Sequence, residues 1–387
     1  MAESNRIGAI DFWRGFVLMT ILVDHIPGNG LENITPRNFG LSDSAEAFVF
    51  LSGLSVGAIY LPRAERSGLR PVVIACLKRA FRLYGVHIAL TVAALALFTA
   101  TGLLSGLEDL LLAHGRSLVF QEPARALPAI AMMSHQLGYF NILPLYIALM
   151  LWAPLVLAIT LVDARLALAA SLAVYVVARV YRLDLPNWPE PGGWFFNPFA
   201  WQLLFTLGLV SARIARTYSL PRRPVLVAAA GLAVLFGAFV VFSRLGWDPH
   251  LKRPLELRLD LGKQSLGLGR LLHFAALAYL VTVTPALATL VRSRFGRELQ
   301  RLGRHSLPVF ATGSLLAAGG QAGLAVASTA ASQGIVLALG IAYTLGALFF
   351  LFALARRLDC PATPIPSGPG SDSDSGALSP SWVSARS

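Results

Sequence analysis

Residues 11 to 25 read DFWRGFVLMTILVDH, an apolar segment with Asp11 and Arg14 near one end and Asp24 and His25 at the other. Charge within an apolar run of membrane length is costly, so these side chains ask for a reason. On a helix turning about 100° per residue, Asp11, Arg14, Leu18 and His25 fall on one stripe. Arg14 and His25 then share a face, about 16 Å apart along the axis at roughly 1.5 Å per residue.

The rest of the chain has the composition of a protein dissolved in lipid. Of its 387 residues, 56% are hydrophobic and 13% charged, against about 25% charged in an ordinary soluble domain. Apolar runs of bilayer length recur and no alternating β-barrel pattern appears, which makes this an all-α integral membrane protein. The formal charge of +12 invites a nucleic-acid reading. The basic residues flank apolar spans with no aromatic-basic motif between them, so lipid topology explains the charge and nucleic acid is excluded as a partner. Cys76 and Cys360 cannot form a disulfide framework. The apolar run near the N-terminus lacks a small-residue cleavage site after it and is expected to be a retained first helix.

Ten spans are expected, at 9–26, 44–61, 80–101, 139–161, 166–181, 198–215, 224–243, 269–291, 306–329 and 332–355, giving a bundle of about ten transmembrane helices. The arginine-rich loops 62–82, 213–223 and 292–304 alternate correctly to be cytoplasmic, which puts both termini inside. Loop 244–270 dissents, because it carries Arg244, Lys252, Arg253, Arg258, Lys263 and Arg270 yet falls outside. It reads either as a solvated loop with a short amphipathic helix or as a surface for an anionic substrate or headgroup. Outer segment 182–197 holds Trp188 and Trp194 among prolines and glycines, suiting an interfacial belt or a sugar-stacking lip. Residues 1–358 form the polytopic domain, and residues 359–387, rich in Pro, Ser, Gly and Asp, are expected to be a disordered cytoplasmic tail. No internal repeat suggests the inverted halves of a transporter.

Several constellations can carry chemistry. His25 lies toward the outer leaflet, where a neutral imidazole can take a proton from a hydroxyl; it can equally be a hydrogen-bonded helix end before Pro27 and Gly28. Asp24, its sequence neighbour, points about 100° away and is a poor direct partner. Arg14 at the inner end either pairs with Asp11 and snorkels, or binds an anionic donor from the cytoplasm. Asp43 followed three residues later by Glu46 is a capping pattern; both acids also open the second span on the side of His25, where either can orient the imidazole. Gly53 and Gly57 permit close packing, expected against the first span. The hydrolase-like GLSVG around Ser55 sits inside an apolar helix and is rejected as a nucleophile elbow. Lys78, Arg79 and Arg82 at the start of the third span suit either positive-inside anchoring or the phosphates of a cytoplasmic cofactor. Asn141, Asn197, Trp201 and Gln202, at later helix ends, line a cavity or bond between helices. His305 starts the ninth span on the inside. His114, His135, His250 and His273 lack metal-ligand spacing, and no metal site is expected.

In these blocks the chain resembles bacterial OpgC-type proteins, membrane-bound succinyltransferases of osmoregulated periplasmic glucans within the acyltransferase-3 group. The matching text is DFWRGFVLMTILVDHIPGN, RNFGLSDSAEAFVFLSGLSVG, LKRAFRLYGVH, NILPLYIALM, FNPFAWQLLFTLG and GRHSLPVF, in order between about residues 5 and 355. The first contains the group's basic residue, ten intervening positions and histidine, here Arg14 and His25. The resemblance implies an acyl-CoA donor, most directly succinyl-CoA, used from the cytoplasm with no permanently bound cofactor. It implies a periplasmic glucan as acceptor and the bacterial inner membrane as location. His25 would be the general base or acyl-transfer residue, with Asp43 and Glu46 in a matching block. Arg14, Lys78, Arg79, Arg82 and His305 would serve the donor, and Asn141, Trp194, Asn197, Trp201 and Gln202 the acceptor. Another surface polysaccharide as acceptor, or a transporter of acylated sugars, are the rival readings.

Overall fold

The computed structural model describes residues 2–243 and 248–359, so Arg244, Cys360 and the expected tail from residue 360 lie outside the described residues. The described residues are helical and hold no β-strand; one isolated bridge joins Pro186 to Gly193. In order the helices are α1 (Ala2–Asp24), α2 (Ser44–Ser67), α3 (Leu69–Ser105), α4 (Asp109–Leu112), α5 (Ser117–Gln121), α6 (Pro123–Ala131), α7 (Ile142–Val162), α8 (Ala164–Val180) and α9 (Pro198–Ile214). After them come α10 (Pro224–Phe242), α11 (Pro249–Arg258), α12 (Leu268–Val283), α13 (Pro285–Arg292), α14 (Arg294–Arg304), α15 (Ser306–Ala330) and α16 (Gln333–Asp359).

Six of them, α2, α3, α7, α10, α15 and α16, are long and apolar enough to cross a membrane, and α12 with α13 makes a seventh if that bent pair is one span. This falls short of the ten spans expected. The other three expected spans are helices of a different kind: α1 carries charge along its length, and α8 and α9 have 17 residues each. The expected span 269–291 breaks by 72° at Thr284, because Pro285 has no N–H to continue the ladder and restricts the residue before it. The third span is longer than expected, since α3 runs for 37 residues until Gly106 takes the left-handed cap at φ 71°.

Glycines set the closest helix contacts. A Cβ on Gly53 would overlap the Phe205 carbonyl, and one on Gly208 the Phe50 carbonyl, so α2 and α9 touch backbone to backbone. The expected partner for Gly53 and Gly57 was the first span; α9 takes that place. The main partner of α1 is α14, which buries Gly296, Leu299, Leu302 and Gly303 on one face and turns Arg294, Arg297 and Arg304 to the outside. Gly15 lies on the Leu299 carbonyl and Gly303 on that of Asp11.

The dissenting basic loop folds onto the end of the bundle where α2 begins. Lys263 Nζ donates to Asp43 Oδ2 at 2.6 Å, Arg179 pairs with Asp260 at 2.6 Å, and the Gln264 amide donates to Asp184 at 3.1 Å. Its position there is independent of the charge rule, and two of its cations are matched by buried or half-buried acids. At the other end, Asp359 does not start the tail. It closes α16, accepting from His305 Nε2 and Arg304, both at 2.7 Å, and pairing with Arg301 at 3.3 Å.

Candidate active site

The charged stripe of α1 faces α15. At its lower end the Arg14 guanidinium donates to the Ser306 hydroxyl, at the first residue of α15, and stands 3.7 Å from Asp11. Arg79 of α3 places its guanidinium 5.8 Å from the ring centroid of Tyr146, a buried residue of α7. The same Tyr146 is an electrostatic neighbour of Arg14, so two arginines from separate helices converge on one phenol. Lys78 and Arg82 are exposed, whereas Arg79 is half-buried beside Tyr146. His305 is engaged by Asp359. Of the expected donor set, the fold brings together Arg14 and Arg79.

Above Arg14 a small, largely apolar cavity of about 10 Å³, a narrow slot, lies between α1 and α15, lined by Leu18, Ile21 and Leu22 against Val309, Phe310, Gly313 and Ser314, with His25 also in its wall. His25 follows the last turn of α1. Its N–H donates to the Ile21 carbonyl at 3.1 Å and its own carbonyl accepts from Gln321 Nε2 of α15 at 2.8 Å. Its ring is partly buried and meets Tyr139 edge to face, with centroids 4.9 Å apart. Among the described residues no side chain hydrogen-bonds the imidazole; Lys263, Asp43 and Arg37 are the charged groups nearest to it electrostatically. From Gln321, α15 continues nine residues to Ala330, about 13 Å, so His25 is recessed below the tip of that helix.

The three acids near this end are held by the fold. Asp24 accepts from the Thr35 hydroxyl at 2.5 Å and lies 3.6 Å from Arg37, which fastens loop 27–43 to the end of α1. Asp43 and Glu46 form a reciprocal capping box: the Ala45 amide donates to Asp43, and the Asp43 amide to Glu46 at 2.8 Å. Arg270 of α12 spans both, 2.6 Å from Glu46 and 3.0 Å from Asp43. Burial works to raise the Asp43 carboxyl, yet Lys263, Arg270 and the Ala45 amide hold it well below the usual carboxylate range. Neither acid hydrogen-bonds His25. Lys263 and Arg270 were absent from the sequence-derived site, although the excess of positive charge in an outer loop was their signal.

The residues expected to meet the acceptor are mostly occupied. Trp201 is fully buried and its indole donates to the carbonyls of Lys263 and Gln264 at 3.0 and 3.1 Å. Gln202 exchanges hydrogen bonds with Ser171, accepting from its hydroxyl at 2.6 Å and donating to its carbonyl at 2.8 Å, so it bonds between helices. Asn197 caps α9 and donates to the Leu183 carbonyl at 2.6 Å. Trp194 is buried and forms neither belt nor lip; Trp188 is the exposed indole of that segment. Asn141 precedes α7 without a side-chain cap bond. Among the described residues, no group of three or more His, Cys, Asp or Glu side chains is placed to hold a metal ion.

The family model described as OpgC protein matches residues 6–358. Neither the curated proteins nor the solved structures include a match to the chain. The family match takes in both ends of the α1 stripe and the α15 residues that face it, and it extends over nearly the whole sequence. The chain therefore belongs to the OpgC family, which gives it an acyltransferase-type role in glucan modification.

Proposed function

We propose that the protein carries a succinyl group from succinyl-CoA, taken from the cytoplasm, to a hydroxyl of a periplasmic glucan. It would do so from the bacterial inner membrane with both termini inside. One observation carries this reading: a single helix face joins a two-arginine cluster to an unpartnered imidazole, with an apolar slot between them. Coenzyme A is an extended molecule, anionic at one end and reactive at the other, and cations at one end of the face with an imidazole at the other support this reading. Arg14 and Arg79 would pair with donor phosphates, where charge-assisted hydrogen bonds are strongest. The acyl arm would lie against Leu18, Leu22 and Phe310 and bring its thioester to His25.

There the imidazole takes the proton of the attacking sugar hydroxyl as its oxygen bonds to the thioester carbon. Collapse of the tetrahedral intermediate breaks the carbon–sulfur bond. The proton held by His25 passes to the departing thiolate, leaving an ester and free thiol. Desolvation in the slot favours a neutral base, and the pairing of Asp43 with Lys263 and of Glu46 with Arg270 leaves no carboxylate free to compete for the proton.

The test uses full-length protein in detergent, succinyl-CoA and added glucan, with ester formation read by mass spectrometry. His25→Ala should abolish transfer while the melting temperature and yield stay those of the wild type. Wild-type transfer by that variant would sink the proposal.

A further inference from the structure

His25 has no acid to orient it, yet a general base must present one nitrogen to the hydroxyl. The imidazole torsion is broad and roughly two-fold, so neighbouring atoms must set it. The side chain packed on the ring is Tyr139, and Tyr139 is in turn packed on His114, with centroids 5.0 Å apart and planes at 60°. One tyrosine thus stands between two histidines, one recessed at the slot and one exposed.

The backbone is bent to place them. His114 and Tyr139 both adopt left-handed φ, 58° and 72°, which non-glycine residues seldom do. Surrounding contacts hold that geometry. The Gly138 amide donates to the His114 carbonyl at 3.0 Å, and a Cβ on Gly138 would fall 2.8 Å from that of His114. His135 Nε2 bonds the Gly115 carbonyl at 2.8 Å. Arg116 donates to the Leu110 carbonyl at 2.8 Å with its guanidinium 4.1 Å from the Phe98 ring centroid. Strained residues over-determined by their surroundings collect at functional sites, and these two converge on the proposed base.

We propose that Tyr139, buttressed by His114, is the positioning residue of His25, setting the imidazole plane through edge-to-face ring packing in place of a carboxylate. The inference rests on His25 being the base. Ring packing orients the imidazole without adding charge beside it, which suits a base that must start neutral. The phenol oxygen takes no part.

The test is steady-state transfer by the full-length protein with succinyl-CoA and glucan. Tyr139→Leu should lower kcat about tenfold, the loss expected for one edge-to-face aromatic pair, with the donor KM unchanged. Tyr139→Phe, which keeps the ring, should restore kcat. Gly138→Ala leaves both rings in place chemically but displaces His114, and should lower kcat severalfold; it keeps the question open to test if Tyr139→Leu fails to fold. Wild-type kcat in both Tyr139→Leu and Gly138→Ala would overturn the proposal. So would equal losses in Tyr139→Phe and Tyr139→Leu, or a raised donor KM with unchanged kcat. If His25→Ala is inactive while Tyr139→Leu is not, only the positioning role fails; an active His25→Ala removes the reading beneath it.

Discussion

Replacing Arg270 with methionine isolates the ion-pair cluster at the start of α2. Arg270 is 12% exposed and Glu46 is completely buried, so removing the guanidinium leaves a carboxylate with no cation inside the protein. Asp43 keeps Lys263 at 2.6 Å and loses less. Breaking one side of a buried pair costs about 3–5 kcal/mol, because the orphaned charge has been stripped of water. Glu46→Gln removes that charge and keeps an amide oxygen for the Asp43 N–H, since glutamine serves as well as glutamate in a capping box. The double variant Arg270→Met with Glu46→Gln should therefore recover most of the loss, with a coupling energy of about 2 kcal/mol or more. Unfolding followed by tryptophan fluorescence in detergent reads all four proteins of the cycle. If Arg270→Met costs less than about 1 kcal/mol, or the double variant is no more stable than the single, the cluster is not held by charge pairing and the reasoning fails.

Two further outcomes test the ends of the bundle. Arg79→Ala should raise the donor KM about tenfold or more, the loss of one charge-assisted contact, whereas Lys78→Ala and Arg82→Ala should change it less than about twofold; equal effects of the three would show that only general positive charge matters. Asp43→Asn should carry a stability deficit at neutral pH that narrows on acidification. The folded carboxyl lies below its unfolded value of about 3.9, so its stabilisation is complete above that pH and is lost as pH falls toward the folded value. Melting temperatures of wild type and Asp43→Asn that stay equally far apart from pH 6 to pH 3 would contradict this.

The helical class was legible because apolar runs of bilayer length have few other uses, and the capping box at Asp43 and Glu46 because it depends on three residues of spacing alone. The partner of α2 was not legible. Gly53 and Gly57 encode a groove, and only the position of Gly208 and Phe205 says that α9 fills it. Trp201 and Gln202 show a second limit, since an indole or amide at a helix end has the same sequence signature whether it meets substrate or a neighbouring backbone. Lys78, Arg79 and Arg82 show a third limit: Arg82 shares a face with Arg79 at i, i+3 and with Lys78 at i, i+4, so spacing does not single one out, and only the packing of α7 shows that Arg79 meets Tyr146. Tyr139 gave no signal, because it reads as the first residue of the apolar span 139–161, whereas the helix starts at Ile142 and its role comes from two unusual backbone angles.

The contact between α1 and α14 has a consequence for depth. The charges of α1 keep it outside the set of helices apolar enough to cross a membrane. Its vertical position therefore has to be inherited from something else, and Gly15 on Leu299 with Gly303 on Asp11 fixes it to α14 without an intervening side chain. Helix α14 is short, amphipathic and arginine-rich, the kind of helix that rests in the plane of a headgroup layer. Acting as a collar, it would fix how deep α1 sits, and with it how far beneath the opposite surface His25 waits.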